Sequence, residues 1–360
     1  MEKDTKKENT KLSLSFAAIG QYVESNIVLP TEIDSKKGFV SWGKNNDYPN
    51  YILSLYDDVA TLKSIIDGLT DYVAGDEIKV KYEQYKEQIN SKGETVEEIF
   101  QRCAKDYCIY GGFALNVIKN RMGTVAEIYY LDFSHIRSNE DRTKFYYSKD
   151  WGKSWGRVKF LEYPAYSDEK ENINSIFFYS NEYNKVYPTP IYGASLKSCE
   201  IEKAINEYHL NSINNNFAGS YIVNFNGGKP TDEQKEEIED NFYEKYVGYE
   251  NASRPVLSFN DSKEHEVTIT KIDSEDFGEK YDSLSKRSKQ ELFTAFRAIP
   301  ALFGIMTETT GFSEQEFKEA YKLFSRTMVK PIQNKLIAAF DKILGKDCIE
   351  IIPFKIDWED

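Results

Sequence analysis

Between Pro188 and Pro300 the chain carries two long helical apolar patterns that bracket a strand–helix–strand unit, and few folds accommodate that order. Tyr187-Pro-Thr-Pro-Ile-Tyr-Gly closes a strand-rich region, because two prolines and Gly193 interrupt regular structure. A helix is expected from Ala194, with Ile201, Ala204, Ile205, Tyr208 and Ile213 on its apolar face, dissolving at Asn214-Asn215-Asn216. YIVNF, the turn NGGKP, the charged stretch TDEQKEEIEDNFYEKYVG and RPVLSF then read as strand, turn, helix and strand. Thr231 and Gln234 have the spacing of a capping box. HEVTITKI reads as another strand. The second long pattern places Phe277, Tyr281, Leu284, Leu292, Phe296 and Ile299 on one stripe and runs into Pro300. Beyond it, ALFGIM is either a buried corner between domains or a loop with a function of its own.

The flanking regions mix helices and strands, which makes the class α+β. Residues 1–38 are polar with one strand-like stretch and start as a frayed tail. Asn45-Asn46-Asp47 with Pro49 opens a helix. Ile52, Leu55, Val59, Leu62, Ile65, Ile66 and Leu69 continue it to a close near Gly75. A second helix spans Val96 to Tyr110 and ends at Gly111-Gly112. FALNVIKN and VAEIYYLDF pair as strands, and residues 144–188 supply further antiparallel strands. A last long helix starts with Ser313 as N-cap and runs to Leu344, with Pro331 expected to kink or split it. CIEIIPFKI closes the sequence as a strand.

The chain has 360 residues, enough for two or three domains with sizeable cores. No apolar run approaches the length of a membrane span, and the lysine-bearing start lacks the apolar core of a signal peptide. A net charge of −13 argues against a broad basic face for nucleic acid, but suits a wall past which a polyanion slides. Cys103, Cys108, Cys199 and Cys348 have no metal-type spacing, so reduced thiols in a cytoplasm are expected, with no metal and no cofactor. No phosphate-binding loop, dinucleotide fingerprint or nucleophile elbow occurs. Asp57-Asp58, Glu236-Glu237 and Glu239-Asp240 could serve a two-metal nuclease, but read as solvated helix faces. His135 reads as a surface or strand-packed histidine. The chain is therefore not expected to be an enzyme. Lys286, Arg287 and Lys289 form a basic band on the second long helix.

Several segments together resemble the portal proteins of tailed bacteriophages. WGKNNDYPNYILSLYDDVATLKSIIDGLTDYVAG is similar to an early helical segment of that family, and DYCIYGGFALNVI to its Tyr-Gly-Asn-Ala-Tyr segment. YPTPIYGASLKSCEIEKAINEYHLNSINNNFAGSYIVNFNGG resembles its Tyr-Gly start to a long helix, and NFYEKYVGYENASRPVLSF its Asn-Ala turn and strand. IPALFGI followed by EQEF resembles its Pro-x-x-Leu-x-Gly loop and the helix after it. The five occur in the family's order over residues 40–345.

The resemblance implies a portal fold: an N-terminal arm (1–38), a wing (39–190), a first stem helix (191–218), a clip (219–272), a second stem helix (273–298), a tunnel loop (299–315) and a C-terminal helix and tail (316–360), with the crown short or absent. It implies a ring, usually of twelve copies, at one capsid vertex. Double-stranded DNA would be packaged and ejected through it without sequence readout. The implied partners are the terminase large subunit, a head–tail adaptor, and major capsid and scaffold proteins, with no membrane. The protein would be made in the bacterial cytoplasm and end in the virion. Ile299, Pro300, Leu302, Phe303, Gly304, Thr307 and Thr310 fall in the implied tunnel loop, where Leu302 and Phe303 would meet a neighbouring loop or DNA and not the core. Lys286, Arg287 and Lys289 would be weak DNA contacts. Tyr221, Val223, Phe225, Val256, Leu257 and Phe259 would hold clip neighbours, their strands pairing across subunits. The alternatives are a metal-dependent nuclease or other processing enzyme, and a scaffold or adhesion protein.

Overall fold

The apolar spacing from Ile52 to Leu69 makes two helices where one was expected. The computed structural model describes residues 27–34, 38–151, 158–214, 222–225, 231, 233–234, 256–259, 275–304 and 313–354. Strands β1 (Glu32–Asp34) and β2 (Val40–Trp42) lead into α1 (Tyr48–Asp58) and α2 (Ala60–Ala74). Val59 between them is extended (φ −105°, ψ 99°) and fully buried. The apolar stripe resumes in phase after the break, so Leu55, Val59 and Leu62 all reach the core. Periodicity alone cannot register such an interruption. Gly75 closes α2 with positive φ, where the sequence placed the end.

After β3 (Glu77–Val80), helix α3 (Val96–Tyr110) has its expected limits. Thr95 and Glu98 form a reciprocal capping box: the Glu98 N–H donates to Thr95 Oγ1 at 3.2 Å, and the Thr95 N–H to Glu98 Oε2 at 2.9 Å. Thr95→Ala should cost about 1 kcal/mol, seen as a drop of about 2–4 °C in the larger unit's melting temperature. Gly111 ends α3 in the left-handed region (φ 84°). Strand β4 (Gly112–Lys119) pairs antiparallel with β5 (Val125–Leu131), and β6 (Ile136–Ser138), β7 (Lys144–Tyr147), β8 (Leu161–Pro164) and β9 (Asn174–Ser180) follow. They form two antiparallel sheets, β1-β2-β6-β7-β8 and β5-β4-β9, as the strand patterns required.

Helix α4 (Leu196–Asn214) departs from this region. Strands β10 (Ile222–Phe225) and β11 (Val256–Phe259) pair with each other, parallel, with Ile222 opposite Val256 and Phe225 opposite Phe259. The expectation placed strand pairing across subunits; these two strands pair within the chain along one edge of each. Thr231 and Gln234 bond reciprocally at 3.1 and 3.4 Å, the expected capping box. Helix α5 (Glu275–Ala295) returns, and α6 (Glu314–Phe324), a π-helical turn at Ser325–Val329 and α7 (Lys330–Leu344) make the last long helix. Ser313 caps it with Glu316, as expected. The π turn lies just before Pro331, whose ring cannot fit an unmodified α-helical ladder. Strand β12 (Ile349–Ile352) pairs antiparallel with β3. The expected strand HEVTITKI, the acidic pairs Glu236-Glu237 and Glu239-Asp240, Tyr221, Thr307 and Thr310 lie outside the described residues.

The chain divides into a larger unit, 27–203 with 286–360, and a smaller one, 1–26 with 204–285. The larger unit's core joins both sheets to α1, α2, α3 and α7, with Trp42 stacked on Tyr187 at 4.6 Å and Phe100 against Phe340 at 5.5 Å. At its centre Arg137 is 1 % exposed. Its guanidinium donates to Asn46 Oδ1, to the Asn46 carbonyl at 2.9 Å, to Ser134 O at 2.8 Å and to Ile136 O at 2.7 Å. It also lies 5.0 Å from the Trp151 ring. All four cysteines are buried in this unit and unpaired.

Candidate functional site

The corner after α5 is built from backbone geometry before any proline is reached. Arg297 adopts φ 50°, and the N–H groups of Arg297 and Ala298 bond back to Thr294 O at 3.0 Å and Phe293 O at 2.8 Å. This is a Schellman end with arginine in the left-handed position that glycine usually fills. The helix therefore stops before Pro300, a correction to the expectation that the proline stops it. Ile299 is extended, as a residue before proline must be. Pro300 then opens a short 3-10 turn, Pro300–Phe303, closed by Gly304 at φ 73°.

That turn points its apolar residues inward. Leu302 is 6 % exposed, and its carbonyl accepts a hydrogen bond from the Tyr72 hydroxyl at 2.7 Å. Phe303 lies against α2 at Gly68, where a β-carbon would come within 2.8 Å of its ring. It meets the rings of Tyr72, Phe293 and Phe324 at 6.0, 6.2 and 5.6 Å. Leu302 is thus a core residue of the larger unit and Phe303, partly buried, packs against that core, which corrects their assignment to a neighbour's loop or to DNA. Gly304 is exposed, and nothing would touch a β-carbon there. The aromatic cluster and the Ser313 capping box fix the residues on either side of 305–312.

The second long helix buries Leu292 and Phe296 of its expected stripe, whereas the first departs in part from the face expected of it. Along α4 the buried residues among those described are Leu196, Cys199, Glu202 and Ile205, a three-residue step. Tyr192 stacks on Phe296 at 5.2 Å, and Ser195 Oγ donates to Glu291 O at 3.3 Å, joining α4 and α5 within the larger unit. Ile201, assigned to the apolar face, is exposed there. In the smaller unit Tyr208 contacts Tyr281 at 4.6 Å, while Tyr208, Leu210 and Leu284 remain substantially exposed. Of the expected apolar residues, Ile205, Leu292 and Phe296 are buried, and Ile201, Tyr208 and Leu284 are left exposed. Lys286, Arg287 and Lys289 are all exposed, around a buried Ser288.

Catalytic chemistry finds no assembled geometry among these groups. Asp58 pairs with Lys203 at 2.7 Å. His135 Nδ1 is 3.7 Å from Asp132 Oδ2, its ring edge-on to Tyr147. An open cleft of about 460 Å³ between α2 and α3 is lined by Asp67, Asp71, Arg102 and Lys105, of which Lys105 and Asp67 approach to 3.6 Å. No group of three or more metal-ligating side chains occurs among the described residues. No described helix is long and apolar enough to cross a membrane.

One buried acid bears on stability. Asp106 is 5 % exposed, with Oδ2 unpartnered. Burial first, then Asp132, pushes its carboxyl well above the usual range, against hydrogen bonding from Tyr130 and the Phe133 backbone. The folded chain therefore holds a proton that the unfolded chain has released, and stability falls as pH rises from the unfolded carboxylate value through the folded one. Asp106→Asn should raise the melting temperature at about pH 8 and flatten its decline from about pH 5; thermal melts at both values check this.

No protein-family model matches the sequence, and no curated protein matches it. Solved structures do match. A chain in the virion of the native gene transfer agent particle aligns over 84 % of this chain and 83 % of its own, at 17 % identity and a TM-score of 0.52. A chain in the neck of the native particle computed with C12 symmetry aligns over 85 % and 84 %, again at 17 % identity and 0.52. An HK97 family phage portal protein from Corynebacterium diphtheriae aligns more loosely, at 10 % identity over 81 % and 88 %, with a TM-score of 0.44. The mixed helices and sheets described above therefore have the fold of a chain from the virion and neck of the gene transfer agent particle.

Proposed function

We propose that this chain is the subunit of a portal ring, a non-enzymatic channel at one capsid vertex through which double-stranded DNA enters and leaves the particle. The observation that carries the reading is the fold likeness over 85 % of the chain to a protein of a particle neck computed with C12 symmetry. The order of the five sequence segments described above supports it independently. In this reading α4 and α5 are the stem, and their exposed Ile201, Tyr208, Leu210 and Leu284 are covered by neighbouring copies in a heterologous ring. The strand pair with Val223, Phe225, Val256, Leu257 and Phe259 belongs to the clip, which receives the terminase and later the adaptor. The turn Ile299–Gly304 anchors a tunnel loop that includes Thr307 and Thr310. Lys286, Arg287 and Lys289 give the stem weak, sequence-independent contacts with DNA. The mature location is the virion.

Electron microscopy of the purified chain, alone and with its scaffold and capsid proteins, tests this reading. Rings with a central hole wide enough for duplex DNA are expected. A monomer under every assembly condition that also cleaves DNA in the presence of Mg²⁺ would overturn it in favour of a nuclease.

A further inference from the structure

The later part of the last long helix, past Glu319, reverses the chain's charge. From Ala320 to Lys346 there are six cations (Lys322, Arg326, Lys330, Lys335, Lys342, Lys346) and one acid, Asp341, in a chain whose net charge is −13. Four cations recur at every fourth residue along α6, the π turn and the start of α7: Lys318, Lys322, Arg326 and Lys330, all exposed. Lys318 is bonded to Glu314. Lys322, Arg326 and Lys330 pair with no carboxylate among the described residues. The opposite face, with Phe324, Met328, Val329, Ile332 and Leu336, is buried in the larger unit's core, so the orientation of the row is fixed.

The π turn aligns the row. In a continuous α-helix a four-residue repeat drifts forward by about 40° at each step, which over this row would turn its ends toward different directions. A π turn closes its hydrogen bonds over five residues and advances less per residue, so Ser325–Val329 offsets that drift where Arg326 and Lys330 belong to the row. Arg326 and Lys330 thereby stay nearer one line, with successive members of the row about 6 Å apart along the helix axis. A regular one-dimensional array suits a polymer with regularly repeated anions, and duplex DNA offers one charge per ~1.7 Å of its axis. A folded acidic protein presents its charges at irregular spacing, and Arg326 adds a planar fork matched to phosphate.

We propose that the face carrying Lys322, Arg326 and Lys330 is a sequence-independent contact for the phosphate backbone of duplex DNA. The inference rests on the channel reading and adds a second DNA-facing element to the stem band. The test is the triple variant Lys322→Gln, Arg326→Gln, Lys330→Gln in the full chain, titrated with a blunt 30-base-pair duplex (about three helical turns) across a salt series. The expected result is a loss of affinity of at least about tenfold, and a salt dependence shallower by about 2–3 in log–log slope. Unchanged affinity and slope overturn the proposal, as does a loss confined to the comparison variant Lys286→Gln, Arg287→Gln, Lys289→Gln. Displacement of the duplex by polyglutamate at equal charge concentration also overturns it, in favour of an acidic protein partner. Rings that form with unchanged DNA affinity in the triple variant defeat this inference alone. Failure of the unsubstituted chain to form rings with its capsid proteins present counts against the channel reading itself.

Discussion

Leu302→Asp combined with Phe303→Asp should abolish folding of the larger unit. Leu302 is buried in the chain's own core, and Phe303 packs partly buried against it, at Gly68, Tyr72, Phe293 and Phe324. Two carboxylates there would be desolvated with no cation facing them in the aromatic cluster. Loss of the two apolar side chains costs about 2–5 kcal/mol each, and the buried charges add to that. Together this approaches or exceeds the whole stability of a typical domain, about 5–15 kcal/mol. The check is soluble yield with circular dichroism: insoluble or unfolded protein is expected. A folded, ring-forming double variant that fails only in DNA packaging would overturn the buried corner and return these residues to the channel wall. Phe303→Leu, which keeps an apolar group there, should fold and melt lower.

Arg137→Met is expected to have the second largest effect. The guanidinium satisfies Asn46 Oδ1 and the carbonyls of Asn46, Ser134 and Ile136, and it packs against Trp151. Burial holds its pKa down to about 10, so it remains charged at neutral pH. Methionine fills much of the volume but leaves acceptors without donors, at about 1–3 kcal/mol for each one orphaned. A loss of several kcal/mol should appear in urea unfolding, with Arg137→Lys intermediate, since an ammonium cannot reproduce the fork. Equal stability of Arg137→Met and the unsubstituted chain would show that water supplies the missing donors.

The sequence was informative wherever a local chemical rule decides the outcome. Thr231 with Gln234, Ser313 with Glu316, and Gly111 after α3 all hold the end positions expected of them, because a cap is a contact between residues three or four apart. The hairpin β4–β5 and the interruption near Pro331 follow the same logic. What stayed hidden depends on residues far along the chain. Leu302 and Phe303 pack against α2, more than 200 residues earlier, so no local pattern separates a core turn from an exposed loop. Val59 breaks a helix without breaking its stripe, and Arg297 ends one with no glycine as a signal. On α4 Ile205 is covered and Ile201 is not, and only the assembled core decides between them. The parallel pairing of β10 and β11 was within reach, because strand–helix–strand connections favour it.

The placement of the four thiols gives the molecule a built-in chemical clock. Cys103, Cys108, Cys199 and Cys348 are all buried, and burial pushes the thiols of Cys108 and Cys199 up to about 12 and that of Cys348 to about 11. A thiol reagent attacks thiolates, so none of the four should react until the larger unit opens. The smaller unit contains no cysteine at all. Labelling in native buffer therefore times the opening of one unit and is blind to the other. Added duplex or capsid partners that bind the closed larger unit would slow that clock, whichever surface they use.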